Sequence, residues 1–400
     1  MATSRTRVIS QSKAVFVGPT GLPTADTGYI PDQLHRIDTF SFDIDIAGAR
    51  QDIREFGQLA RIASVTMSDI NPSLSFGYYL LNGENEARLG FNDDGIDGTG
   101  PLSQFVSGII SEDRDKKVKN IYVLTTKEGQ DAFNTGQLIL PAVRVLSDVV
   151  SFGNVTLNSY TASFAVGDIP RVDIEAEASN ITFTTGTYSG FNNPSINQAG
   201  EAQAGTVAVA AMGGVGGAFV GPSTGDATFP VLKPDDITLT FTNPSFEMGG
   251  TNFSDMHVQS ATVEVPLSRS NIEALGSARP VAKPLDFPID VTFSFSSLLK
   301  SFDDGTLDLV LTGTAGDETT DITLAIADEE KAHVNIFKLV GAQLDSQSFS
   351  QGLDDNETVD LTFSAQIGAP DTTNQGIFYS GLFDGVVDAT GIPANSYTLP

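Results

Sequence analysis

Apolar and polar residues alternate along most of this chain. The runs TFSFDIDI (39–46), SLSFGYYL (73–80), NVTLNSYTASFAV (154–166), RVDIEAEA (171–178) and NITFTTGTY (180–188) all show it. So do DITLTF (236–241), DVTFSFSS (290–297), TLDLVLTG (306–313) and TVDLTFSAQI (358–367). Period-two alternation predicts strands with one packed face and one solvated face. Gly, Asn, Asp and Pro punctuate the runs, as an antiparallel all-β fold requires. The best helical spacing lies in PLSQFVSGII (101–110), where Leu102, Phe105, Val106, Ile109 and Ile110 fall on one face. Pro101 suits the first turn of that helix, because the N–H it lacks is unpaired there anyway. A short helical turn is also expected around 328–332.

The pattern occurs twice. Arg50, Ile53 and Gly57 match Arg269, Ile272 and Gly276 at one offset (269 − 50 = 219). A one-residue slip then sets Arg61 on Arg279 and Leu80 on Leu298. VDIEAEA (172–178) meets VDLTFSA (359–365) at a second offset (359 − 172 = 187). That register also aligns Leu157, Ser159 and Asp168 with Leu344, Ser346 and Asp355. The offsets differ by 219 − 187 = 32, so the first copy carries about that many extra residues. A period this long makes each copy a whole domain. The expected division is an N-terminal arm (1–35) and a first domain (36–188) with a helical insertion near 83–118. A Gly/Ala/Pro-rich connection (189–232), a second domain (233–370) and a C-terminal extension (371–400) follow.

Charge narrows the function classes. Among 400 residues, 50 are acidic and 22 basic, a net charge of −28. That argues against a protein whose main task is to grip nucleic acid or an anionic membrane. The absence of Cys removes disulfides and thiolate metal sites, and fits assembly in a reducing cytoplasm. The N-terminal residues show no apolar core of a signal peptide. The charge-free stretch 204–225 is too rich in Gly and Ala for a spanning helix, and is expected as a loop between the copies.

Candidate chemistry is absent from the motifs. His35, His257 and His333 stand alone, without metal-ligand spacing. VGPTG (17–21) and GGVGGAFVG (213–221) lack the G-K-[ST] ending of a phosphate loop. NDDGIDG (92–98) lacks the residue order of a calcium loop, and no G-x-S-x-G elbow occurs. The expectation is therefore no enzyme, no cofactor and no metal.

The run LNSYTASFAVGDIPRVDIEAEASNI (157–181) resembles the tail tube (major tail) proteins of long-tailed bacteriophages. In that family an Asn-x-Tyr strand leads into a Val-Gly-x-Ile/Leu-Pro turn, here Asn158, Tyr160, Val166, Gly167, Ile169 and Pro170. IYVLTTKEGQDA (121–132), KPDDITLTF (233–241) and PLSRSNIEALGSARPVAKPLDFPI (266–289) resemble segments of such virion proteins, of a marine-phage type. Copy two departs from the turn motif, with Asp355, Asn356 and Glu357 in place of Asp168, Ile169 and Pro170. The resemblance implies two tandem tube-type β-sandwich or barrel domains whose inner strands join neighbours around a lumen, in stacked rings of six positions. With two copies per chain, the ring is expected to be a homotrimer of pseudo-sixfold symmetry.

The resemblance further implies a virion location and the chain itself as main partner. Tail sheath, terminator and baseplate proteins are implied neighbours, with genomic DNA passing through the lumen without tight binding. Asp43, Asp45, Asp173, Glu175 and Glu177 are the candidate lumen acids, with a solvated outer face as the alternative. The non-alternating segments 47–72 and 266–288 are expected as arms that reach the next subunit or ring. Arg50, Ile53, Gly57, Arg61, Arg269, Ile272, Gly276 and Arg279 are their candidate assembly contacts. Equally, these arginines tie down their own loops. A related virion ring protein and a surface adhesin or glycan-binding β-sandwich remain the competing readings.

Overall fold

Strands dominate, as the alternation predicts. A computed structural model describes residues 13–21, 31–45, 50–66, 71–81, 83–92, 96, 103–111, 117–125, 147–187, 190–197, 201–208, 232–241, 257–272, 280, 282–298, 319–328, 334–350 and 358–381. The first strands are β1 (Lys13–Pro19), β2 (Asp32–Gln33), β3 (Ile37–Asp43), β4 (Arg50–Ile53), β5 (Ala63–Thr66) and β6 (Ser73–Tyr79). Two short helices follow, α1 (Glu84–Leu89) and α2 (Ser107–Ile110). Next come β7 (Lys119–Thr125), β8 (Ser147–Ala165), β9 (Arg171–Glu177) and β10 (Asn180–Thr187). A small hairpin, β11 (Gly190–Asn192) with β12 (Thr206–Ala208), precedes β13 (Leu232–Phe241), β14 (His257–Pro266) and β15 (Asp290–Leu298). The last strands are β16 (Thr320–Asp328), β17 (Val334–Ser350), β18 (Thr358–Gln366) and β19 (Gly376–Ser380).

Eight of them form one antiparallel layer in the order β3-β6-β9-β8-β14-β15-β18-β17, four from each copy. The second layer is built twice from equivalent parts. β7 and β10 flank the first half of β8, with β1 and β2 beyond β7. Likewise β16 and β19 flank the first half of β17, with β13 beyond β16. β8 and β17 thus run through both layers. They bend at Asn154 (φ 52°) and Gly341 (φ 68°), which are equivalent by 341 − 154 = 187. Asn is among the few residues with a Cβ that enter this region readily. Here Asn154 is held by a bond from its N–H to Asn120 Oδ1 (3.0 Å), while its Oδ1 accepts from Ile196 N–H (2.8 Å).

The register repeats in detail, including its irregularities. The shift between Ile37 and Thr39 in β3 recurs between Val258 and Ser260 in β14 (258 − 37 = 221). That between Lys119 and Ile121 in β7 recurs between Thr320 and Ile322 in β16 (320 − 119 = 201). That between Leu157 and Ser159 in β8 recurs between Leu344 and Ser346 in β17 (344 − 157 = 187). One sequence inference is corrected. Phe76 pairs with Ile174 and Phe295 pairs with Leu361, so β6 maps onto β15 at 295 − 76 = 219, without the slip that set Leu80 on Leu298. Hydrogen-bond register, not residue identity, decides the alignment.

A single apolar cluster lies between the layers. It joins Val15, Val17, Ile121, Val123 and Phe152 to Leu74, Phe76 and Ile174, and Leu324, Phe337 and Leu339 to Val291, Phe293 and Phe363. The predicted boundaries need revising at both ends. Lys13–Pro19, expected in an arm, is a paired strand with Ala14 to Val17 buried. Gly376–Ser380, expected in an extension, is a wholly buried strand on β17. Both are continuous apolar runs because both faces are covered, so they carry no alternation. Part of the expected connection is also ordered, since Phe191 and Val207 of the β11–β12 hairpin pack against Phe16, Tyr122 and Val149. Residues 209–231, 306–313 and 329–333 lie outside the described residues.

The helix expected over 101–110 is shorter. Among its described residues, 103–110, only Ser107–Ile110 is helical, because the Phe105 backbone is taken by neighbours: its N–H donates to Ile377 O (2.8 Å) and its O accepts from Asn92 N–H (2.7 Å). This insertion of copy one clamps copy two. Phe105 is fully buried among Phe91, Tyr160, Tyr379 and Phe337, and Gln104 Nε2 donates to Thr372 O and Gln375 O. Phe105→Ala is expected to lower unfolding stability by about 3–5 kcal/mol, measured by denaturant titration.

His35 lies beneath the same insertion, its Nε2 3.8 Å from Glu84 Oε1 and its backbone bonded both ways to the Asn85 amide. Burial, reinforced by the charges of Arg88 and Arg36, pulls its pKa from 6.5 to about 4. The unfolded chain therefore takes up the proton first as pH falls. Stability contributed by neutral His35 is complete above 6.5 and lost on the way down to about 4. Between pH 7 and 5.5 this removes about 1 kcal/mol, and His35→Gln should flatten that slope in urea titrations.

Candidate assembly surface

One face of the eight-stranded layer is core, and the other is polar from end to end. A row of paired residues crosses it without interruption: Thr39, Gly77, Asp173, Thr161, Glu264, Thr292, Ser364 and Gln343. The next row runs Arg171, Ser163, Thr262, Ser294, Thr362 and Ser346. The alternating sequence does this directly, since most of the alternate side chains on these strands are Ser, Thr, Asp or Glu, with Gly77, Arg171 and Gln343 among the exceptions.

Most of the predicted lumen acids sit on this face. Asp43, Asp173, Glu175 and Glu177 lie there, and Asp45 follows the end of β3 in an exposed position. Two carry a cation. Arg171 Nη2 is 3.0 Å from Asp173 and its Nη1 is 2.5 Å from Asp38, while Lys283 Nζ is 2.8 Å from Glu177. The hydrogen bond to Asp173 raises the Arg171 pKa. The guanidinium lies across β6 at Gly77, where an added Cβ would come within 2.5 Å of it. Glu175, Glu264 and Asp360 are exposed beside small hydroxyl residues.

The copies meet within this layer at β8–β14. There Val263 faces Ala162, Glu264 faces Thr161 and Thr262 faces Ser163. The equivalents of β14 and β8 are β3 and β17, and these end the layer. Among the described strands, β3 pairs with β6 alone, and residues 343–350 of β17 pair with β18 alone. Phe42 on β3 and Phe349 on β17 are 42% and 43% exposed, although both point to the core face. The sequence reading missed these two. The strand register, not the sequence offset of 219, sets Phe42 on Val263 (263 − 42 = 221), and Phe349 falls on Ala162 (349 − 162 = 187).

The arms differ in what they touch. In the first, Arg50 pairs with Thr66 and Ile53 with Ala63; in the second, Arg269 pairs with Leu285 and Ile272 with Ala282, the same register shifted by 219. The first is an isolated hairpin with Ile53, Phe56, Leu59, Ile62 and Val65 exposed, Phe56 and Leu59 completely. Gly57 turns its tip at φ 95°, and Arg61 bonds only Asp52 across the hairpin (3.2 Å), a solvent-exposed pair of little energetic weight. The Arg50 side chain, Gly276 and Arg279 lie outside the described residues. The second arm is docked on copy one. Arg269 Nε donates to Leu157 O (3.2 Å) and its Nη1 to Lys283 O (2.9 Å), and burial lowers its pKa to about 10. Ile272 remains exposed at the tip.

Gly167 takes φ 82° in the turn between β8 and β9, with Pro170 buried and its carbonyl accepting from Leu80 N–H (2.9 Å). Val166 and Ile169 project from this turn into solvent. Among the described residues no three His, Asp or Glu side chains converge as metal ligands, and no helix is long and apolar enough to cross a membrane. Arg269→Ala removes two charge-assisted bonds inside the chain, so it should destabilise the monomer by about 2–4 kcal/mol in denaturant titrations.

No protein-family model and no curated protein matches the chain. Among solved structures it is similar to a chain of the tail of an empty GTA particle, computed with helical refinement and C6 symmetry. Identity there is 9% and the TM-score 0.23, over 34% of this chain and 93% of that one. It is also similar to a chain of the virion of a native gene transfer agent particle, at 10% identity and a TM-score of 0.24, over 37% of this chain and 97% of that one. Likeness at these scores carries no functional conclusion.

Proposed function

We propose that this chain is a structural virion protein that assembles head to tail into closed rings, which stack as a tail tube. The observation that carries the reading is the eight-stranded layer, made of two equivalent four-stranded units with complementary end strands. Exposed strand edges are pairing templates, and joining them around a ring removes them. Such head-to-tail contacts close where the rotation per unit permits. The sequence resemblance to phage tail tube proteins supplies six positions, hence three chains of two units each.

Size supports this reading. Three chains contribute 3 × 8 = 24 strands to the wall. With strands about 4.8 Å apart and tilted by about 40°, the backbone wall would be about 48 Å across. Lined by small Ser, Thr and Asp side chains, that bore admits a nucleic-acid duplex, whereas an eight-stranded barrel is filled by its own side chains. The face that would line it exposes Glu175, Glu264 and Asp360 and holds Arg171 and Lys283 in ion pairs with its own carboxylates, so it offers phosphates little counterion release. The exposed apolar tips of the first arm fit contact with the next ring. Arg50, equivalent to Arg269, would bond a carbonyl of the neighbouring chain. Tail sheath, terminator and baseplate proteins are the further partners this role entails.

Electron microscopy of the purified protein should show stacked rings of three chains, each with six similar lobes around an open bore. Six chains per ring, or filaments without rings, would overturn the stoichiometry. Isolated rings that never stack would favour a terminal ring protein instead.

A further inference from the structure

We infer that neighbouring chains join through a junction copied, pair for pair, from the β8–β14 junction inside each chain, with Phe42 of one chain facing Phe349 of the next. The inference rests on the ring reading above and adds the register. Two exact correspondences define it. β14 maps onto β3 at 221 and β8 onto β17 at 187, and each mapping carries a register shift at the matching place. Applying both to the internal pairs transfers Val263–Ala162 to 263 − 221 = 42 and 162 + 187 = 349. Glu264–Thr161 becomes Asp43–Ser348, and Thr262–Ser163 becomes Ser41–Ser350.

Burial supports that register independently of the arithmetic. Val263 and Ala162 are both 0% exposed inside the chain, while Phe42 and Phe349 are the exposed apolar residues of the two end strands. The transferred register sets these two opposite each other on the core face. A shift by one residue would turn one of them toward the polar face. The exchange of Val and Ala for two Phe also has a physical sense. The internal junction is tethered by the chain, whereas the junction between chains must offset lost translational freedom with more buried apolar area. Phe42 already meets Phe152 edge-on at 5.3 Å, so its ring is held beside the place its partner would occupy. On the polar face the transferred pairs are Asp–Ser and Ser–Ser, so no like charges meet and the hydroxyl rows continue around the ring.

The chain has no Cys, which makes disulfide mapping direct. Two double variants, Phe42→Cys with Phe349→Cys and Asp43→Cys with Ser348→Cys, test both faces of the junction. Directly opposed Cβ atoms lie about 4.5–5.5 Å apart and diagonal ones about 7–8 Å, beyond easy disulfide reach. Oxidation of assembled rings should link at least one pair into covalent trimers. The displaced pair Asp43→Cys with Ser346→Cys should link at least tenfold less. Phe349→Asp should abolish rings while leaving the far-UV circular dichroism of the monomer unchanged. Rings that form normally but link best through the displaced pair would overturn this register and leave the ring reading standing. So would a Phe349→Asp protein that assembles like the parent. Failure of the parent protein to form rings at all would overturn both.

Discussion

The backbone groups along the edges of the eight-stranded layer constrain everything else in this molecule. Inside a sheet each strand satisfies its neighbours, but the first and last strands of an open sheet do not. Here the middle junction, β8–β14, shows how one copy satisfies the edge of the other. The same two strand types, β3 and β17, end the layer. Among the described strands, a monomer of this design therefore contains both an answered edge and the two halves of an unanswered one. Its polar face reinforces the point. A solvated face of Ser, Thr, Asp and Glu keeps the layer from stacking face to face, which leaves edge pairing as the open mode of association.

Each copy keeps the same solution for crossing between layers. β8 and β17 serve both sheets, and the change of direction is made by a residue at positive φ, Asn154 in one and Gly341 in the other. The surrounding polar contacts are not shared to the same degree. The bond from Asn154 N–H to Asn120 Oδ1 recurs as Gly341 N–H to Asp321 Oδ1 (3.2 Å), but the bond from Ile196 N–H to the Asn154 side chain has no counterpart at Gly341, which has no side chain. The long insertion of copy one is likewise spent on copy two, with Phe105 and Gln104 seated against β19 and the segment before it. The two copies are thus equivalent in the layer of eight and specialised behind it.

Sequence periodicity was sufficient where a strand has one wet face. β9, with its buried and exposed residues in strict alternation, was legible, as were β15 and β18. It failed where strands are dry on both sides, as in β1 and β19, because continuous apolar runs carry no period. It also failed for the helix at 101–110, whose spacing was right for burial but whose Phe105 backbone bonds elsewhere. The predicted acids fell on one face because period two is a property of the strand itself. The two Phe residues at the layer's ends were invisible for a different reason. An apolar residue at an alternating position looks like core, and only the topology reveals that its strand is the last one.

Duplication changes the energetics of closing a ring. Six separate domains would need six junctions between independent chains, each opposed by the loss of translational and rotational freedom. In the proposed trimer, half of those junctions are formed within the chain, where a tether holds the second strand at high effective concentration. The tethered junction can then be held by small residues such as Val263 and Ala162, both fully buried. Its neighbours Arg269 and Lys283 add bonds to Leu157 and Glu177 across the copies. The untethered junction has no such start and needs larger apolar groups at the same place, which is where Phe42 and Phe349 stand. Within the layer of eight, the exchange of Val263 and Ala162 for Phe42 and Phe349 thus follows from what covalent linkage changes in the contact.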